Sequence, residues 1–138
     1  MSKSPNRLLG VVFGVVYLLI GILGFFYTSG TGFISTSGGL ILGIFEVNIL
    51  HNVAHLLIGA VLLIAGLSGA RAAKGANSTV GAVYLLLGIV GLFIANGSNP
   101  FNILALNAAD NVLHFASAVV LLAVGLGADR ATRPAATV

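Results

Sequence analysis

The stretch GVVYLLIGILGFF, residues 14–26, carries Gly14, Tyr17, Gly21 and Gly24 in an otherwise apolar run. Spacings of three and four residues gather these positions on one flank of an α-helix. The pattern returns in GAVYLLLGIVGLF, residues 81–93, as Gly81, Tyr84, Gly88 and Gly91. A second element also occurs twice. NILHNVAH (48–55) and NAADNVLH (107–114) share Asn48, Asn52 and His55 with Asn107, Asn111 and His114, and the match runs on to Arg71 and Arg130. Matched units of two apolar segments each predict a duplicated helical hairpin, with repeat one at about residues 8–71 and repeat two at about 79–130.

The apolar runs around these landmarks are long. Leu8–Phe26 holds no charged residue, and comparable runs centre on Val53–Leu67, Thr79–Ala95 and Val112–Leu126. About 20 residues rising 1.5 Å each cross a hydrocarbon core of about 30 Å. Spans are therefore expected at about 8–27, 48–70, 79–96 and 107–127. Backbone in lipid must satisfy its own hydrogen bonds, and runs this continuous are helices rather than alternating barrel strands. The first run exceeds the roughly 7–15 apolar residues of a signal peptide, and its counterpart lies deep inside the chain. The fold expected is all-α: one membrane domain over residues 1–138, a four-helix bundle of parallel repeats about an axis along the membrane normal.

Composition agrees. Of 138 residues, 58% are hydrophobic and 7% charged, against about a quarter charged in soluble domains. That excludes a soluble globular enzyme, and the apolar content excludes a disordered chain. The net charge of +3 does not imply nucleic acid. The basic residues form separate pairs (Lys3 and Arg7, Arg71 and Lys74, Arg130 and Arg133) with no concentrated basic face. All three pairs fall on one side of the predicted membrane, so both termini and the middle loop are expected in the cytoplasm. The loops at about 27–47 and 96–106 then face outward. Within them Leu40–Phe45 and Phe101–Leu106 are apolar again, and read either as interfacial segments packed on the bundle or as early helix turns. Ala131–Val138 reads as a disordered tail. The absence of cysteine excludes disulfides and thiolate sites.

In so apolar a chain the polar exceptions are informative. Asn48, Asn52 and His55 share one helix face, as do Asn107, Asn111 and His114. His51 stands one turn before His55, and Asp110 takes the same place before His114. Asn48 and Asn107 read as N-caps. His55 and His114 then lie about 10 Å inward, where a buried imidazole favours its neutral form and needs one donor and one acceptor satisfied. Tyr17 and Tyr84 also need partners, with His55 and His114 as candidates. His51 and Asp110 are placed to pair across the pseudo-two-fold axis.

Several functions fit these residues. The leading expectation is a non-enzymatic structural or accessory protein. Its Gly14, Gly21 and Gly24, with Gly81, Gly88 and Gly91, would let helices approach closely, within the chain or with a homo-oligomer or larger membrane complex. The alternative is a tetrapyrrole site, haem or a chlorophyll-type pigment, with His55 and His114 as axial ligands and Gly59 and Ala118 making room. Against it, all Lys and Arg lie at the other end, away from any propionates. A proton or small-solute path through His51, Asp110, His55, His114 and Glu46 is the third. It stops at the inner halves of spans two and four, where Ser117 is the one polar side chain. No metal site is expected, since histidines four apart without a further catalytic motif are weak evidence for zinc.

The two GxxYLLxGxxG stretches and the N-x-x-H-N-x-x-H element (Asn48, His51, Asn52, His55) resemble a bacterial, largely actinobacterial, family of small four-helix integral membrane proteins known only as domain of unknown function 4383. The resemblance runs from about Arg7 to Gly127, with NILHNVAHLLIG its most specific part. The second copy departs from it at Asp110 and Ala118. The resemblance implies an integral inner-membrane protein and supplies no activity.

Overall fold

The computed structural model describes residues 4–95 and 97–129. Its elements are α1 (Pro5–Gly24), β1 (Gly39–Ile41), β2 (Phe45–Val47), α2 (Ile49–Ser68), α3 (Ala70–Ile94) and α4 (Ala108–Gly127). All four of these helices are long and apolar enough to cross a membrane. The chain is a four-helix membrane bundle with a small hairpin on the end away from its termini. Its side chains sort as lipid requires: Val12, Val16, Leu19, Leu57, Leu86 and Val119 face outward while Asn6, Asn52, Asn77, Asn111, Tyr17 and Tyr84 face in.

Glycine sets the packing. α1 lies along α2, and α3 along α4, far more closely than either hairpin meets the other. A Cβ added at Gly14 would stand 2.6 Å from the Leu63 amide nitrogen, and Gly21 and Gly24 abut Leu56 and Asn52. The second hairpin repeats the contacts: Gly81 abuts Leu122, Gly88 abuts Phe115 and Gly91 abuts Asn111. α2 returns the approach, because a Cβ at Gly59 or Gly66 would meet α1 backbone at 2.8 Å. Such proximity multiplies van der Waals contact, which drives association where lipid removes the hydrophobic effect. Tyr17, Leu62, Val80, Tyr84, Ala118 and Leu121 form the shared core between the hairpins.

α3 begins at Ala70 rather than near residue 79. Its first turns, ARAAKGAN, lack an apolar signal but are rich in strong helix formers. Arg71 and Lys74 therefore sit on a helix and not in a loop. Gly69 alone joins α2 to α3, with φ 156°, where an L side chain is strained. At 25 residues, α3 spans about 37 Å and extends beyond a hydrocarbon core.

The end where α1 starts and α4 finishes is closed by polar bonds. Asp129 Oδ2 accepts from Ser4 Oγ (2.8 Å), Asn6 Nδ2 (3.0 Å) and the Asn6 amide (3.1 Å). Asn77 Nδ2 donates to Asn6 O and Oδ1, both at 3.0 Å. Arg7 donates to the Gly66 and Leu67 carbonyls at the end of α2, and Lys74 to Ala128 O just past α4. Cations at helix C-termini satisfy unpaired carbonyls and oppose the helix dipole. Arg7, Arg71 and Lys74 share this end; Lys3, Arg130, Arg133 and the tail at 131–138 lie outside the described residues.

At the opposite end, Leu40–Phe45 belongs to a β-hairpin and not to an early turn of α2. β1 and β2 pair antiparallel with Leu40 opposite Glu46 and Ile41 opposite Phe45. Leu42 (φ 53°) and Gly43 (φ 71°) make the turn. Alternation places Ile41 and Val47 against the bundle and leaves Leu40 and Leu42 outside.

Candidate functional site: a side-opening cavity under the hairpin

The two helix caps frame the site. Asn48 Oδ1 accepts from the His51 amide (2.9 Å), and its Nδ2 donates to Ser35 O (2.8 Å) and Ile103 O (2.7 Å). Asn107 Oδ1 accepts from the Asp110 amide (3.0 Å), and its Nδ2 donates to Ile44 O (2.7 Å). Each cap thus starts its own helix and ties down the loop that leads to the other. Asp110 completes a capping box: its Oδ2 accepts from the Asn107 amide (3.0 Å) and from the Glu46 amide on β2 (3.1 Å). Glu46 Oε1 in turn accepts from the Gly38 amide (2.8 Å). The Asp110 carboxylate is therefore committed to backbone amides, and the expected His51–Asp110 pair is replaced by an anchor for the hairpin.

Asn52 and Asn111 turn away from the histidines. The Asn52 amide oxygen occupies the place a Cβ on Gly24 would take, and Asn111 does the same at Gly91. Asn52 Nδ2 donates to Thr28 Oγ1 at 3.3 Å. These side chains fasten each hairpin internally. Gly59 and Ala118 are also used in packing, Gly59 against Leu18 and Ala118 within the core.

The histidines and tyrosines converge on the bundle axis. Their rings form a ladder: His55 stacks on Tyr17 (centroids 5.6 Å, planes 7° apart), Tyr17 on Tyr84 (5.5 Å, 16°), and Tyr84 lies against His114 (5.2 Å, 44°). His51 sits beside both histidines, 4.6 Å from His55 and 6.1 Å from His114. The Tyr17 hydroxyl donates to Ser117 Oγ at 2.8 Å, joining α1 to α4. His55 thus meets the face of Tyr17, and Ser117 is the hydroxyl's partner. The Nδ1 atoms of His51, His55 and His114 are buried with no hydrogen-bond partner among the described residues. Such atoms are costly unless something satisfies them.

Beside this ladder lies a cavity of about 360 Å³, within the range of small-molecule sites. His51, His55, His114, Tyr17, Tyr84, Ser117 and Asp110 line its polar side. Val12, Val16, Ile20 and Leu23 of α1 and Leu113 of α4 line its apolar side, and Ile41, Phe45 and Val47 of the hairpin roof it. Val12, Val16 and Leu113 are also exposed on the bundle surface. α1 and α4 touch only sparingly, so the cavity opens sideways, between these helices, into what a bilayer fills with acyl chains. Below the histidines, Leu62, Val80 and Leu121 fill the axis.

This geometry does not suit a macrocycle held between His55 and His114. The His51 ring stands beside both imidazoles, Tyr17 and Tyr84 cover their faces, and the small residues expected to make room are consumed by packing. Among the described residues no group of three or more His, Cys, Asp or Glu is arranged to hold a metal ion. Ser117 and the hairpin are the parts of the site that the sequence pattern did not single out. Ser117 was marked only by being polar in an apolar half-helix.

No curated protein and no solved structure matches the chain. A family profile does match, over residues 7–127, which covers the four helices from the first turn of α1 to the end of α4. The chain therefore belongs to the family described as Domain of unknown function (DUF4383).

Proposed function

We propose that this small multi-pass membrane protein is a non-enzymatic binding protein that takes a membrane-soluble amphiphile from the bilayer into the cavity between α1 and α4. One observation carries the reading: three imidazoles, each with a buried and unpartnered Nδ1, stand in the wall of a cavity whose other wall is aliphatic and opens to lipid. An amphiphile matches both, with polar atoms for the histidines and an apolar part for the mouth. Binding without transformation is supported by the state of Asp110, whose carboxylate is held by two backbone amides. The glycine flanks expected to recruit partners are spent inside each hairpin, which favours a binding role over an accessory-subunit role. The matched contacts of those flanks support descent from one duplicated hairpin. Arg7, Arg71 and Lys74 at one end support an orientation in a bacterial inner membrane with both termini cytoplasmic and the hairpin outside.

The experiment is extraction of ligand from the protein purified out of native membranes. Mass spectrometry of the extract should give a near-stoichiometric amphiphile from the unaltered chain and little from Val16→Trp, which fills the mouth from the lipid side. Equal recovery from both proteins would contradict the reading.

A further inference from the structure

The character of the cavity narrows its occupant, given that it binds an amphiphile at all. Charge comes first. Among the described residues every Lys and Arg lies at the inner end, and the nearest charges to the cavity are the carboxylates of Asp110 and Glu46. A phosphate or carboxylate head would enter low dielectric with no cation and two anions nearby, which costs far more than it gains. The occupant is uncharged.

Shape comes second. His55, Tyr17 and Tyr84 are nearly coplanar in orientation, with tilts of 7° and 16° between successive rings. They present aromatic surface to the cavity. Aromatic faces and edges favour another flat ring in an offset or edge-on arrangement. A flexible prenyl alcohol or an acyl chain gains nothing specific there.

Hydrogen bonding comes third. His51, His55 and His114 each leave Nδ1 without a partner among the described residues, and all three line the cavity. A neutral imidazole can present Nδ1 as a donor or as an acceptor, depending on tautomer. A cluster of this kind accommodates ring oxygens that are carbonyls in one form of a ligand and hydroxyls in another. A single alcohol would satisfy one nitrogen and leave the others bare.

From an uncharged head, a flat ring, several oxygens and a lipid-side exit for a tail, we infer that the cavity binds a membrane quinone and its quinol. The ring sits against the Tyr17–Tyr84 ladder, its oxygens turn toward the imidazoles of His51, His55 and His114, and its tail leaves between Val16 and Leu113. The inference rests on the cavity being a binding site for amphiphiles.

The test is thermal unfolding of the full chain in nanodiscs of zwitterionic lipid, followed by circular dichroism during titration with decylubiquinone, its quinol, geranylgeraniol or myristic acid. The midpoint should rise saturably with decylubiquinone and with its quinol. Geranylgeraniol should bind at least about tenfold more weakly, since it loses hydrogen bonds to the histidines, and myristic acid should not compete. Val16→Trp, a change on the lipid face that leaves the core intact, should abolish the shift. His114→Phe should weaken it about tenfold while keeping a ring against Tyr84. If geranylgeraniol or myristic acid binds as well as the quinone, and Val16→Trp abolishes both, the quinone assignment is overturned and the amphiphile site stands. If no probe gives a shift sensitive to Val16→Trp, both fall.

Discussion

Asn48 and Asn107 brace each other's loops. Asn48 caps α2 and donates to Ile103 O, while Asn107 caps α4 and donates to Ile44 O. Each carbonyl lies four residues before the other asparagine. The cavity ends of the two hairpins are thereby locked in a reciprocal exchange that fixes the roof. Asp is as good an N-cap as Asn but has no N–H to donate. Asn48→Asp, which keeps the cap and turns a carboxylate oxygen on the Ser35 and Ile103 carbonyls, should therefore still destabilise the bundle by about 1–2 kcal/mol. Unfolding by titration with a denaturing detergent measures it. An Asp variant as stable as the parent would show that capping is the whole role.

At Gly24 and Gly91 an asparagine amide oxygen fills the space of a Cβ. Gly24→Ala should cost about 1–3 kcal/mol through overpacking. Adding Asn52→Ala should recover part of that loss, since the obstructing amide is gone. A double-mutant cycle reads the coupling, and strict additivity would count against the contact.

The Tyr17–Ser117 bond is the polar link between α1 and α4 beside the cavity mouth. Tyr17→Phe and Ser117→Ala should each cost about 1 kcal/mol, and the double variant little more than either. The same cycle in detergent tests it, with a coupling near zero as the contrary outcome.

Acid should loosen the end of the bundle where Asp129 lies. The Ser4 hydroxyl, helped by Asn6 and Lys74, holds the Asp129 carboxyl below the usual aspartate range. Its bonds therefore add stability above about pH 4, where an unfolded chain ionises, and that stability is lost as pH falls through the lower folded value. Unfolding midpoints of the parent and Asp129→Asn should differ at pH 6 and converge toward pH 2. A constant difference would exclude the carboxylate as the cause.

The spans were legible because lipid demands long apolar runs, and the glycine and asparagine landmarks marked the buried faces. Other features depended on information that a local pattern lacks. A six-residue apolar run such as LILGIF does not distinguish strand from helix, so the hairpin roof emerged only in three dimensions. The start of α3 was hidden because ARAAKGAN is helix-forming without being apolar. At the site, the shared face of His51 and His55 on α2, with His114 at the matching place on α4, was readable from spacing. Asn52 and Asn111 seemed to belong with them, yet three residues fall about 60° short of a full turn, enough to aim these amides at α1 and α3 instead. The Tyr17–Ser117 bond joins residues 100 apart in sequence, and which helices become neighbours is not written in either segment.

The central claim is that the histidine–tyrosine ladder borders a space open to lipid. Its most direct test is tyrosine emission from the Tyr27→Phe protein, since the chain has no tryptophan and this change leaves Tyr17 and Tyr84 as its tyrosines. In bilayers of phospholipid brominated along the acyl chain, the emission should be strongly quenched, while aqueous iodide should leave it unchanged. Quenching by iodide, or none from the brominated chains, would contradict the account.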